Sequence, residues 1–118
     1  MDPLRPKNHA KGPESKIQTA IIDMLRVKGW YVMVTHGNMY QSGFPDLFAC
    51  HSVYGQRWIE VKKPEFKGSK FTPAQLECFP KICANGSGVW ILTSEKDAEY
   101  QKLFKRSNWW MYLEGFRC

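Results

Sequence analysis

The chain has 118 residues, 43% of them hydrophobic, and 17 Lys and Arg against 11 Asp and Glu give a net charge of +6. That length fits one domain with a modest core, and that apolar content excludes a disordered chain. No run approaches the ~18–20 apolar residues of a bilayer span, and Met1-Asp2-Pro3-Leu4-Arg5-Pro6-Lys7 has no apolar signal core, so a cytoplasmic protein without a membrane partner is expected (host cytoplasm for a viral chain).

The positive excess suits a polyanion. Residues 1–12 carry two prolines, one glycine and four basic residues and read as a flexible basic arm, either a solvated tail or a strip laid along phosphate. Residues 13–118 form the single folded domain.

The first helix is predicted from about Pro13 to Lys28. Ile17, Ala20, Ile21, Met24 and Leu25 repeat at helical spacing and make a buried stripe. Gly29 ends it. Glu14 lies at the N-terminal end of that inward stripe, an odd place for an idle carboxylate. Trp30 to His36 is β-branched and aromatic, hence a strand, and Gly37 to Gly43 is a polar loop. Asp46 to Cys50 and Gln56 to Lys63 are the next two strands, joined around Ser52-Val53-Tyr54-Gly55, with Pro64 ending the second.

Thr72-Pro73-Ala74-Gln75 opens a second helix: Thr caps it, Pro takes the first helical position and Gln can close a capping box. Pro80 is expected to kink or end this helix early. Asn85-Gly86-Ser87-Gly88 is a turn, and Val89 to Thr93 a short buried strand. Ser94 is expected to cap a third helix running to about Phe104, with Asp97 in the capping-box position. Trp109-Trp110-Met111-Tyr112-Leu113 is too apolar for a free end; it either packs on the core as a strand or covers a partner, a dimer face being the candidate. The order αβββαβα argues for an α/β fold, one mixed sheet with helices on its faces.

Cys50, Cys78, Cys83 and Cys118 form no C-x-x-C pair and read as reduced structural thiols; a metal site combining them with His36 and His51 lacks recognised spacing.

The chemistry lies in Gly43-Phe44-Pro45-Asp46-Leu47 and Trp58-Ile59-Glu60-Val61-Lys62-Lys63. Strand side chains alternate, so Trp58, Glu60 and Lys62 share one face, with Glu60 and Lys62 about 6.6 Å apart along the strand. A hairpin centred on residue 53 sets Asp46 opposite Glu60, with Cβ atoms about 5 Å apart. Two carboxylates so placed repel unless a positive group lies between them, and a divalent cation with oxygen ligands fits. Asp46, Glu60, the Val61 backbone carbonyl, waters and a phosphate oxygen could fill its shell, and Glu14 could add a carboxylate directly or through water. Lys62 would orient or help deprotonate a water, or stabilise charge on the phosphate. Gly43 and Pro45 set a tight loop that aims Asp46. The alternative is a weak pattern on a solvated strand face.

Asp46 with Pro45 before it, and Glu60-Val61-Lys62, resemble the PD-(D/E)XK nuclease superfamily. Glu14-Ser15-Lys16-Ile17-Gln18, Ser42-Gly43-Phe44-Pro45-Asp46-Leu47, Ile59-Glu60-Val61-Lys62 and Thr72-Pro73-Ala74-Gln75, in that order, are similar to the virus-type replication-repair nuclease (VRR-NUC) domain. The resemblance spans Glu14 to about Thr93. It implies a restriction-endonuclease-like core, a mixed sheet of about four or five strands flanked by helices. It implies Mg²⁺- or Mn²⁺-dependent phosphodiester hydrolysis with no small-molecule cofactor. Asp46 and Glu60 become metal ligands, Lys62 the catalytic lysine, Glu14 the first-helix acid and Gln75 a second-helix residue near the site, alongside or instead of its capping role. Stand-alone phage members resemble archaeal Holliday-junction resolvases, which are homodimers, so a homodimeric endonuclease selective for branched DNA is implied. A flap, nicking or restriction-type nuclease, and a non-catalytic basic DNA-binding module, are the alternatives. Lys63, Lys67 and Lys70, with His36 and Asn38, would make a basic rim for DNA phosphates. Tyr40 or Phe44 would stack on an unpaired base or simply pack.

Overall fold

In a computed structural model of the chain, residues 13–35, 43–64 and 71–112 are described. The expected first helix is Pro13–Val27 (α1). Ile21, Ile22 and Leu25 are its fully buried residues, with Ile17 and Met24 packed at the margin. Burying each such side chain stabilises by roughly 1.5–3 kcal/mol. Gly29 at φ 94° ends the helix, and the Trp30 N–H closes back on the Leu25 carbonyl at 3.0 Å.

The strands are Tyr31–Val34 (β1), Leu47–His51 (β2), Gly55–Val61 (β3) and Val89–Leu92 (β4), in sheet order β1-β2-β3-β4. The first two pairings are antiparallel, and β3–β4 is parallel across the helix Pro73–Ala84 (α2). The mixed sheet is therefore as expected. Its register pairs Leu47 with Ile59 and His51 with Gly55, a hairpin centred on residue 53. One step beyond Leu47, Asp46 faces Glu60.

The sheet is covered on both sides. Val32, Val34, Leu47, Ala49, Ile59, Val61 and Leu92 pack with α1 and with Tyr100 and Leu103. On the other face Val89 and Ile91 pack with Phe79 of α2 and with Trp109, and Trp58 joins them. Alternation along β3 sends Ile59 and Val61 to the first side and Trp58 and Glu60 to the α2 side.

Three expectations are corrected. Pro80 does not end α2, which continues to Ala84. Both Pro80 and Leu76, whose carbonyl loses its bond, lie on the exposed side, where water can take over. The third helix is short, Asp97–Tyr100 (α3), and passes into a 3₁₀ turn at Gln101–Phe104. Ser94 does not cap it. Its hydroxyl accepts the Lys96 N–H at 3.2 Å in a local turn, Lys96 holds the cap position, and Glu99 turns back to accept the Thr93 N–H at 2.9 Å.

The apolar tail is not a fifth strand. Trp109–Tyr112 is a 3₁₀ turn with Trp109 buried. A strand there would need the outer edge of β4, and side chains already occupy it: Asn108 Oδ1 accepts the Ile91 N–H at 2.7 Å and Ser107 Oγ accepts the Val89 N–H at 3.1 Å. Cys50, Cys78 and Cys83 are free thiols. No helix among the described residues is long and apolar enough to cross a membrane. The expected basic arm and His36, Asn38, Tyr40, Lys67, Lys70, Leu113 and Cys118 lie outside the described residues.

Candidate active site

Three elements deliver the four side chains of the site. Asp46 precedes β2, Glu60 is the penultimate residue of β3, Lys62 follows that strand, and Gln75 is in the first turn of α2. Glu60 is 2% exposed, Lys62 4% and Gln75 8%, so three polar side chains are withdrawn from water together. Such groups are costly to bury without partners.

The partners are present. Glu60 Oε1 accepts the Asp46 N–H at 3.1 Å, and Asp46 Oδ2 accepts the Val61 N–H at 2.9 Å. Each acid thus holds the backbone of the strand carrying the other. Glu60 Oε2 accepts from Gln75 Nε2 at 2.8 Å and lies 3.2 Å from Lys62 Nζ. Lys62 Nζ also sits 5.0 Å above the Phe71 ring. Neither Phe71 nor the Val61 N–H is among the expected site groups. The extended register implies the second; nothing in the sequence pattern points to the first.

Local rules explain the placement. Thr72 Oγ1 accepts the Gln75 N–H at 3.1 Å and Gln75 Oε1 accepts the Thr72 N–H at 2.9 Å, the reciprocal box expected at the start of α2. Gln75 therefore closes the capping box and reaches Glu60 with the same side chain. Asp46 is aimed by the loop before it. Gly43 has φ 92°, and a Cβ there would lie 2.5 Å from the Ala74 carbonyl oxygen. Thr35 donates its hydroxyl to the Pro45 carbonyl and its N–H to the Asp46 carbonyl.

Electrostatics leave the site short of positive charge. Burial pushes the Asp46 carboxyl up to about 6; the Glu14 charge adds to the rise, while the Val61 N–H and Lys62 oppose it. Burial, and then repulsion from Asp46, push the Glu60 carboxyl up to about 8 against the pull of Lys62 and Gln75. Glu14, half-buried in the first turn of α1, thus acts on Asp46 through its charge. Among the described residues no three His, Cys, Asp or Glu side chains gather closely enough to hold an ion alone. The donor set is a two-carboxylate one, hard and underneutralised, and it fits a hard divalent cation whose other ligands come from backbone, water or substrate.

Elsewhere the expected residues are more ordinary. Phe44 packs 5.8 Å from the Trp58 ring. His51 Nδ1 accepts the Val53 N–H at 3.0 Å, and its ring lies against Trp30 and Tyr54. Lys63 is half-buried just past Lys62.

No family model and no curated protein matches the chain by sequence. Its fold does have a solved counterpart, a structure described as "VRR_NUC domain", with a TM-score of 0.57 and 23% identity over 75% of this chain and 91% of that one. At that identity the likeness establishes the fold, the α/β architecture expected from the motif order.

Proposed function

We propose that this chain, which has the fold of a VRR_NUC domain, is a divalent-metal-dependent nuclease that hydrolyses phosphodiester bonds in DNA. One observation carries the reading: Glu60 accepts the Asp46 N–H, Asp46 accepts the N–H of Val61 next to Glu60, and Lys62 Nζ lies 3.2 Å from Glu60. Burying an ionised acid pair of this kind costs stability, which a bound cation would offset.

Asp46 and Glu60 would hold Mg²⁺ or Mn²⁺, with the Val61 carbonyl and, through water, Glu14 as further candidates. Such an ion supplies charge neutralisation at the phosphate and a more acidic water. Glu60 is kept in one orientation by Gln75, so the acid does not have to reorganise during the reaction. Lys62, between Glu60 and the Phe71 ring, can donate to a phosphate oxygen or orient the attacking water. The net charge of +6 and Lys63 favour the polyanionic substrate. Within this reading the enzyme is an endonuclease selective for branched DNA and acts as a homodimer, each copy cutting one strand.

The test uses purified protein with four-way junction, flap, single-stranded and linear duplex DNA, with Mg²⁺, Mn²⁺ or EDTA. Wild type should cut the junction in metal and spare linear duplex. Asp46→Asn and Glu60→Gln should each lose about 10³-fold or more in rate, in keeping with removal of a group that acts on the transition state. Light scattering should report a dimer. Identical behaviour of wild type and Glu60→Gln on every substrate would leave a basic DNA-binding module and sink the enzyme.

A further inference from the structure

We propose that the groove on the outer side of β4, built by residues 102–112, holds a single-stranded segment of nucleic acid. The groove encloses about 560 Å³. Lys105 and Arg106 supply its positive charge, Lys102 being paired with Glu99, and Trp110 and Met111 form its apolar wall. Trp110 is 38% exposed and Met111 66%, immediately beyond the buried Trp109. Large apolar side chains among cations are the composition of a surface that stacks bases and tracks phosphates.

The segment is held rigid from behind. The Lys105 carbonyl accepts the Trp90 Nε1–H at 3.0 Å, Ser107 and Asn108 bind the β4 edge, and Trp109 packs 5.6 Å from the Phe79 ring. Lys102 Nζ is fixed 2.6 Å from Glu99 and donates to the Tyr112 hydroxyl at 2.9 Å. With the segment anchored at 105, 107, 108 and 109, Lys105, Arg106 and Trp110 project from a fixed stretch of chain.

Other occupants fit less well. The β4 edge is already bonded, so an added strand has no ladder to join. A second copy in an isologous contact would set this cationic patch against itself on a protein of net charge +6. A polyanion with flat aromatic groups meets both demands. Packed rings link the wall of the groove to the candidate site: Trp109, the residue before Trp110, lies 6.2 Å from Phe71, whose ring carries Lys62 Nζ at 5.0 Å. The proposal extends the nuclease reading, because an unpaired stretch held here would belong to the same substrate.

The probe is a labelled oligothymidylate of about ten nucleotides, followed by fluorescence anisotropy in EDTA. Trp110→Ala should weaken binding about tenfold, and Trp110→Phe should recover most of it. Lys105→Ala with Arg106→Ala should lower the slope of log affinity against log salt by about 1.4, at about 0.7 per lost phosphate contact. Circular dichroism and melting curves matching wild type would verify that these variants fold. Unchanged affinity in Trp110→Ala with an unchanged salt slope in the double variant overturns the proposal. So does duplex bound as tightly as single strand, polyglutamate competing as well as oligothymidylate, or a dimer that Trp110→Ala dissociates. Because nothing is cut in EDTA, a chain that binds as described and never cleaves with metal removes only the nuclease reading. One that cleaves, with binding insensitive to these substitutions, removes only this proposal.

Discussion

Gln75 joins two jobs in one amide: its Nε2 donates to Glu60 Oε2 at 2.8 Å while its Oε1 accepts the Thr72 N–H at 2.9 Å. The first turn of α2 and the buried acid of β3 are therefore one hydrogen-bonded unit. A helix cap that could have sat anywhere on the surface is spent on orienting a carboxylate.

Substitution at Gln75 separates the two jobs. Gln75→Ala loses both and should cost about 1–2 kcal/mol in chemical unfolding, along with a drop in cleavage rate. Gln75→Glu can still accept the Thr72 N–H, as Glu does in a capping box, but sets a third carboxylate against Glu60. It should leave the helix content of α2 intact and lower the rate. Equal rates for wild type and Gln75→Glu would reduce Gln75 to a cap.

The acid pair gives a pH dependence with a defined sign. Asp46 is raised from its ordinary 3.8 to about 6 and Glu60 from 4.5 to about 8, so the folded chain holds more protons than the unfolded chain between about 4 and about 8. Stability in EDTA should therefore fall as pH rises through that window and level off above it, a loss on the order of a few kcal/mol. Glu60→Gln removes the larger shift and should flatten the curve. A wild-type melting temperature that rises steadily from pH 5 to pH 8.5 contradicts the assignment.

Divalent ions should offset that loss. Mg²⁺ or Mn²⁺ at about a hundred times its Kd stabilises by about 2.7 kcal/mol, read as a rise in melting temperature. Binding requires ionised carboxylates, so the rise should be larger at pH 8 than at pH 6. Asp46→Asn should abolish it. A rise of equal size in Asp46→Asn would put the ion elsewhere.

Gly43 is a position that tolerates no side chain without strain. Gly43→Ala combines a φ of 92° with a Cβ only 2.5 Å from the Ala74 carbonyl oxygen, and should destabilise by about 2 kcal/mol or more. Gly86→Ala has a similar φ of 95° but nothing within 4 Å, and should cost about 1 kcal/mol. The difference between them isolates the contact between the loop and α2. Equal costs would mean that the loop moves aside freely, and that Gly43 does not aim Asp46.

What was legible in the sequence was local or symmetric. A turn around residue 53 and the two-residue period of strands are enough to face Asp46 with Glu60, since a slip of one residue would drive Ile59 and Val61 out of the core. The box at Thr72 and Gln75 is set by four consecutive residues. Only the tertiary structure decided the rest. Pro80 stays helical because its lost bond faces water, which depends on how α2 lies on the sheet. The tail is a 3₁₀ turn rather than a strand because Ser107 and Asn108 already occupy the β4 edge. Phe71 lies beneath Lys62, a contact that no periodicity or capping rule writes into the chain. Periodicity and capping act over a few residues and are written in the chain; packing partners far apart along it are chosen by the shape of the whole.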